Sequence, residues 1–211
     1  MSQPPAKAIR ILIVDDHPVV RAGLTSMLGT QVDLEVIASA SSGEAALAMM
    51  GRSGADVVLL DLRMPGMSGV ETILEMKRAG YGARVIVLTS FETDEDIYRA
   101  VQAGAQGYLL KDAPRQEILS AIRAVSEDRP YTSTTVAAKA LQRMGKPSLT
   151  QRELDVLQLV AEGRSNKDIA RRLSITEGTA KTHVKAILTK LDAISRTEAV
   201  AVAHKRGLIH L

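Results

Sequence analysis

The sequence predicts an α/β domain built on a doubly wound parallel sheet of five strands, followed by a smaller all-α domain containing a helix-turn-helix. Three observations predict it. Up to about residue 125, five short apolar runs alternate with five amphipathic stretches, the pattern of strands and covering helices in a parallel sheet. Beyond residue 147 every periodic segment has helical spacing. Charge divides with the pattern: residues 1–126 hold 12 Lys/Arg against 15 Asp/Glu, and residues 127–211 hold 15 against 9.

The predicted strands are residues 9–14, 34–38, 57–60, 85–88 and 107–109. In the first, ILIV at 11–14 is a continuous apolar run, as expected of a strand buried on both faces. VVLL at 57–60 and VIVL at 85–88 repeat that character, and GYL at 107–109 is the shortest. Between them, helical spacing predicts helices over 19–28, 43–50, 69–77, 94–103 and 115–125. The pattern then lapses. EDRPYTSTTVAAKALQRMGKP, residues 127–147, reads as a linker holding one short helix at about 134–143.

Four helices follow. Thr150 is a plausible N-cap, with Glu153 completing a capping box ahead of Leu154, Leu157 and Val160. Gly163 ends that helix. The second spans 166–173 with Ile169, Ala170 and Leu173 inward, and a turn holding Ser174 and Ile175 leads to Thr176, N-cap of a third helix reaching Leu191. The fourth spans 196–205, ended by Gly207. Two helices joined by a tight turn, the second carrying Lys on its exposed face, describe a helix-turn-helix. The predicted boundaries are 7–126 for the first domain, 127–147 for the linker and 148–211 for the second.

Composition narrows the function classes. With one Phe, four Tyr and no Trp, the cores must be aliphatic, and the absence of cysteine excludes disulfides and thiolate metal sites. The N-terminal stretch lacks the apolar core of a signal peptide and no apolar run is long enough to span a bilayer, so a soluble, cytoplasmic protein without membrane attachment is expected. A basic half joined to an acidic half suggests a nucleic-acid-binding module.

The strand ends carry residues a buried sheet does not need. Asp15 and Asp16 end the first strand, where repulsion and partial burial both cost free energy. A solvated turn is the plain reading of that pair. A Walker-B-type Mg²⁺ site would need a G-x-x-x-x-G-K-[ST] loop, and the sequence has none. Asp61 follows DVVLL, Thr89 follows RVIVL and Lys111 follows GYLL, so a doubly wound sheet brings all five residues to one rim. Three clustered carboxylates call for a cation, and oxygen-only ligands favour Mg²⁺.

Residues 9–125 resemble the receiver domain of two-component response regulators, a flavodoxin-like fold, through VDD, LLDLRMPGMSGVE, VLTS and GYLLKD in the expected order. The resemblance implies Asp61 as phospho-acceptor, Asp16 and Asp61 as direct Mg²⁺ ligands, Asp15 acting through water, and the Arg63 backbone carbonyl as a further ligand. Thr89 would hydrogen-bond the phosphoryl group, Lys111 would neutralise it, and Tyr108 matches the aromatic switch that turns inward when Thr89 moves. The sequence departs from the pattern at Ser90, where a small residue such as Ala is usual, and at Asp112, where many receivers have Pro. With proline delayed to Pro114, no cis bond is expected after Lys111.

Residues 149–209 resemble the LuxR-type DNA-binding domain through LTQRELDVLQLVAEGRSNKDIARRL and RTEAV, and the whole chain resembles the NarL/FixJ class of response regulators. Lys181, Thr182 and Lys185 match positions that face bases in that family. Ser165, Asn166 and Lys167 open the preceding helix, where backbone amides and Lys suit phosphate. Ala180 stands where the family usually has Val, and Gly178 weakens the first turn. The implied function is a phosphorylation-controlled transcription regulator rather than an enzyme, the receiver catalysing only its own phosphorylation and dephosphorylation. The implied partners are a cognate histidine kinase, double-stranded DNA and, on phosphorylation, a second copy forming a homodimer, with RNA polymerase a possible further one. Two rivals are weaker: a Mg²⁺-dependent phosphohydrolase of the haloacid dehalogenase type needs D-x-D after the first strand, and a phosphorylation-independent interaction module would lack Asp61, Thr89 or Lys111.

Overall fold

Buried apolar runs that alternate with amphipathic helices can satisfy their backbones only by pairing with one another, and here they do so in one all-parallel sheet. The computed structural model describes residues 7–90, 94–133, 136–137, 147, 149–206 and 208–209. The chain divides into two compact units near residue 140. In the first, β1 (Ile9–Val14), β2 (Leu34–Ala40), β3 (Val57–Leu60), β4 (Arg84–Thr89), β5 (Gly107–Leu110) and β6 (Tyr131–Thr132) lie in the order β2-β1-β3-β4-β5-β6. The helices between them are α1 (Pro18–Leu28), α2 (Gly43–Ser53), α3 (Gly69–Arg78), α4 (Asp94–Ala103) and α5 (Arg115–Ser126).

Side chains alternate across the sheet with period two. Leu12, Val14, Val58, Leu60, Val85 and Val87 point to one face, which is covered by Ala46, Met50, Ile73, Met76, Ile97 and Ala100 of α2, α3 and α4. Ile11, Ile13, Val57, Leu59, Ile86 and Leu88 point to the other, covered by Leu24 and Leu28 of α1 and by Ile118, Leu119, Ile122 and Val125 of α5. Both layers are aliphatic, with Tyr108 the largest fully buried side chain. Against β1, β2 accommodates one extra residue, Ile37, because the register steps from Ile11↔Val36 to Leu12↔Ala38.

The sheet has six strands where five were expected. Tyr131 and Thr132 pair in parallel with Gly107 and Tyr108, and the Tyr131 amide donates to Gln106 O at 2.9–3.0 Å spacing typical of a ladder, here 3.0 Å. Two residues are too few to show a period, so the sequence pattern missed them. The bare edge of β5 recruits them, since an edge strand leaves its amides and carbonyls unpaired. Of the short helix expected at 134–143, Val136 and Ala137 are helical, with Val136 fully buried in the same cluster as Tyr108. The rest of that span lies outside the described residues, as does Gly207. All described peptide bonds are trans.

The second unit holds α6 (Gln151–Ala161), α7 (Asn166–Arg172), α8 (Glu177–Leu191) and α9 (Arg196–Lys205). Each starts on a hydroxyl cap: Thr150, Ser165, Thr176 and Ser195 accept from the amides of Glu153, Asp168, Thr179 and Glu198. Ala180, Val184, Ile187 and Leu191 of α8 form the stripe packed on Val156, Leu157, Val160, Ile169, Ala199 and Ala203. The turn between α7 and α8 passes through Ser174 at φ +54°, and Arg152 Nη2 donates to Leu173 O at 2.6 Å, fixing the end of α7.

A buried ion pair joins the first and third of these helices. Glu153 Oε2 accepts from Lys190 Nζ at 2.7 Å, from the Thr150 amide at 2.7 Å and from the Thr150 hydroxyl at 2.9 Å. Burial pushes the Glu153 carboxyl up, but the bonds from Lys190 and Thr150 outweigh it and hold the group below its ordinary value. A depressed carboxyl contributes stability above the unfolded-state value, about 4.3, and loses it as pH falls through the folded one. Glu153→Gln should therefore raise amide exchange in α6 and α8 at neutral pH by the equivalent of about 1–3 kcal/mol, with the gap closing in acid. Native-state hydrogen exchange checks this, and equal protection at neutral pH contradicts it.

Candidate functional site

The strand order reverses around β1, so α1 and α2 leave to opposite faces and open a crevice at the C-terminal rim. Register then decides which side chains meet there. Val14 is aligned with Leu60, and the Asp61 amide donates to Val14 O at 2.8 Å, which makes Asp15 and Asp61 neighbours. Thr89 is aligned with Leu110, and the Lys111 amide donates to Thr89 O at 2.9 Å, which sets Lys111 beside the end of β4.

Lys111 Nζ lies 2.6 Å from Asp15 Oδ2 and 2.7 Å from Asp61 Oδ2, with the three side chains 12%, 3% and 4% exposed. Burial pulls the ammonium's pKa down, yet its hydrogen bonds to Asp15 and Asp61 more than reverse that, and the net shift is upward. Asp15 is held further by the His17 amide, which donates to Oδ1 at 2.8 Å, and Arg21 Nη1 donates to the Asp15 carbonyl at 2.6 Å. Asp16 is different. Its Oδ1 is buried and accepts no hydrogen bond, although His17 Nδ1 stands 2.7 Å away as an ion-pair partner. One donor atom from each of Asp15, Asp16, His17 and Asp61 lies within 4.8 Å of the others. A buried carboxylate oxygen lacking a proton donor, among further oxygen donors, suits a hard divalent cation.

The loop after Asp61 is clamped. The Arg63 amide points at Asp61 Oδ1 at 3.4 Å, and the Gly69 amide donates to Leu62 O at 2.9 Å. A Cβ on Gly69 would fall 2.3 Å from Asp61 O and 2.7 Å from Leu62 Cα, so only glycine lets α3 start this close to the end of β3. Glu44 Oε1, at the start of α2, accepts the Met67 amide at 2.9 Å from across the crevice.

Of the residues expected from sequence, Asp15, Asp16, Asp61 and Lys111 come together directly, while Arg63 joins through its amide. Thr89 is fully buried at the end of β4. By alternation it shares a face with Val87, and Val87 is aligned with Tyr108, whose side chain is turned in and 1% exposed. Sequence reasoning missed His17, Arg21, Glu44 and Gly69. His17 had a signal in the run Asp-Asp-His, three potential ligands in succession. The others are fixed by tertiary approach and had none.

In the second unit, Lys181, Thr182 and Lys185 are exposed on α8, opposite its buried stripe. Lys181 lies 3.3 Å from Glu177, and the Thr182 hydroxyl donates to Gly178 O at 3.1 Å. Lys167 is exposed at the start of α7. Ser165 spends its hydroxyl on the cap and on Asp168 Oδ2 at 2.6 Å, and Asn166 Oδ1 accepts from the Arg196 guanidinium. Their side-chain oxygens are thus occupied, which leaves backbone amides, the Asn166 side-chain NH2 and Lys167 as donors of that turn. His183 is half-buried.

Comparison with known proteins gives two family matches: the response regulator receiver domain over residues 11–123, and the luxR family of bacterial regulatory proteins over residues 147–203. The transcriptional regulatory protein LiaR of Bacillus subtilis is 43% identical over 210 residues, covering 96% of this chain and 100% of that one. The response regulator protein VraR of Staphylococcus aureus is 40% identical over 206 residues, covering 95% and 99%. The crystal structure of ChrA, a response regulator of a heme-sensing two-component system, matches with TM-score 0.58 and 42% identity over 97% of this chain and 100% of that one. RcsB of Salmonella enterica serovar Typhimurium, bound to a promoter in the presence of phosphomimetic BeF3−, matches with TM-score 0.71 over 94% and 99%, and at 24% identity speaks to the fold.

Proposed function

The chain belongs to the NarL/FixJ-type response regulators, two-component transcription regulators that bind DNA under control of phosphorylation, and from that premise we propose that phosphoryl transfer from a cognate histidine kinase to Asp61 switches its DNA binding. The observation that carries the assignment is the buried Lys111 ammonium bridging Asp15 and Asp61. A carboxylate nucleophile needs positioning and neutralisation more than acid–base help. An Asp61 oxygen attacks the phosphorus of a phosphohistidine, the O–P bond forms as the P–N bond breaks, and the imidazole leaves, taking its proton from solvent. Lys111 already touches Asp61 and neutralises the added charge.

Asp15, Asp16, Asp61 and the Arg63 carbonyl would hold Mg²⁺, whose chemistry there is to neutralise the phosphoryl oxygens. The orphaned Asp16 Oδ1 supports this fit. Thr89 and Tyr108, on one face of the sheet, are the elements that convert the covalent change into a change of shape. The receiver catalyses its own phosphorylation and dephosphorylation. Residues 7–126 act as the receiver, 127–147 as the connecting segment and 148–211 as the DNA-binding domain.

Lys181, Thr182 and Lys185 read bases, while Lys167 and the first amides of α7, at Ser165 and Asn166, position phosphates. A single recognition helix reads a short half-site, so two copies paired after phosphorylation gain avidity of roughly 10²–10⁴. RNA polymerase is a further partner for a DNA-bound regulator of either sign. None of the described helices is long and apolar enough to cross a membrane, which fits a cytoplasmic site of action.

With acetyl phosphate as donor, the wild type should gain one phosphoryl group by intact mass and Asp61→Ala none, with its fold retained. A variant that gains a stable group at Asp15 or Asp16 overturns the acceptor assignment. Lys181→Ala and Lys185→Ala should each weaken operator binding and relax preference at one base position by about 1–3 kcal/mol, without changing phosphorylation. Gel-shift titrations at one salt concentration on operator and scrambled DNA decide this. Equal weakening on every sequence would make those side chains phosphate contacts.

A further inference from the structure

The chain leaving α5 is built into the first unit beside Tyr108. Asp128, at φ +60°, follows the end of α5 and engages the guanidinium of Arg84 at the start of β4 with both carboxylate oxygens, each at 2.6 Å. Tyr131 and Thr132 then pair with Gly107 and Tyr108, and the Tyr131 amide donates to Gln106 O at 3.0 Å. Paired residues of parallel strands share a face. Tyr131 accordingly packs against the layer of α1 and α5, while Thr132 stands on the face of Tyr108. The Ser133 carbonyl accepts the Ala137 amide at 2.9 Å, and Val136 beside it is fully buried in the layer that holds Tyr108, Ile97 and Ala100.

A strand of two residues gives this seat few ladder bonds, so it opens at a lower free energy than the sheet as a whole. Its other hold is Val136, which depends on the packing of the layer it enters. Tyr108 is the largest fully buried side chain of that layer. A close-packed layer does not yield gradually. With Tyr108 turned out, the layer loses its largest member and the strand residue paired with Thr132 is disturbed. We propose that residues 131–137 and Tyr108 form one coupled latch, in which the seated segment holds the ring inward and the inward ring holds the segment, with Val136 as the positioning residue. The inference rests on the reading of Thr89 and Tyr108 as the elements that respond to phosphorylated Asp61. Coupling of this kind is reciprocal. Phosphorylation that draws on Thr89 and favours the inward ring therefore tightens the segment, and the signal passes directly to the chain that leads into the DNA-binding domain.

Amide exchange in the full chain tests this, with acetyl phosphate as donor and intact mass taken on the same sample. The Tyr131 amide should exchange about tenfold more slowly once Asp61 carries a phosphoryl group, within the range usual for coupled sites. The Ile9 amide, which donates to Asp33 O toward the other edge of the sheet, should keep its rate, so that general stabilisation is excluded. Val136→Ala should speed Tyr131 exchange in both states and remove most of the difference between them. Asp128→Gly keeps the backbone conformation but removes the pair with Arg84, so it should speed exchange in both states and retain the full difference. A wild-type Tyr131 amide whose rate is the same in both states overturns the proposal, as does a Val136→Ala protein that keeps the full difference. The wild-type comparison stands without any variant. If intact mass shows no phosphoryl group on the wild type, the reading of Asp61 as acceptor fails, and the latch falls with it.

Discussion

Two carboxylates end adjacent strands of a sheet whose buried layers are mainly aliphatic, and the Lys111 ammonium between them makes that arrangement tenable. Asp15 and Asp61 present oxygens within 4.8 Å of one another. At that separation like charges repel by on the order of 3 kcal/mol, taking an effective dielectric of about 20. Lys111 touches both carboxylates and reverses the sign of the interaction. Burial makes the arrangement demanding: removing one partner of such a cluster leaves a desolvated charge uncompensated. Lys111 can reach both because β5 is in register with β4, and Asp61 lies beside Asp15 because β3 is in register with β1. The apolar pattern of the strands thus sets the register, and the register sets the charge cluster.

The same cluster explains why the proposed acceptor can act as a switch. A rim of closely opposed buried charges responds strongly to one more, because the low dielectric that makes an unpaired group costly also amplifies each new interaction. The Lys111 amide is bonded to the Thr89 carbonyl, so the charged residue and the buried hydroxyl share one stretch of ladder. Tyr108 sits two rungs earlier on the same face, fully packed in an aliphatic layer with little freedom to adjust continuously. The second unit is built on another plan, in which hydroxyl caps start each helix and a buried Glu153–Lys190 pair ties α6 to α8. That leaves the exposed face of α8 free to carry Lys181 and Lys185.

Much of this was legible in the sequence because its signals are local. Strand ends marked by Asp61, Thr89 and Lys111 could be read directly, since each polar residue follows an apolar run at once, and topology does the rest. The caps Thr150 and Thr176 and the inward stripe of α8 were legible for the same reason. What stayed hidden depends on approach between distant segments. The strand at Tyr131–Thr132 is too short to carry a period and exists because β5 has an edge to fill. Gly69 looks like any helix-starting glycine until Asp61 O is found 2.3 Å from where a Cβ would stand. The occupied oxygens of Ser165 and Asn166 were equally invisible, because Asn166's partner, Arg196, lies 30 residues away.

The most direct test of this account is the side-chain resonance of the Lys111 ammonium, observed by nitrogen–proton NMR in the intact protein before and after acetyl phosphate. A head group held between Asp15 and Asp61 and only 12% exposed should exchange slowly with water and give a separate signal at rest. On phosphorylation the signal should persist and shift as the ammonium takes up the new phosphoryl oxygen. A Lys111 ammonium that exchanges as freely as the surface lysines at rest, or one whose signal does not change when Asp61 is phosphorylated, would contradict it.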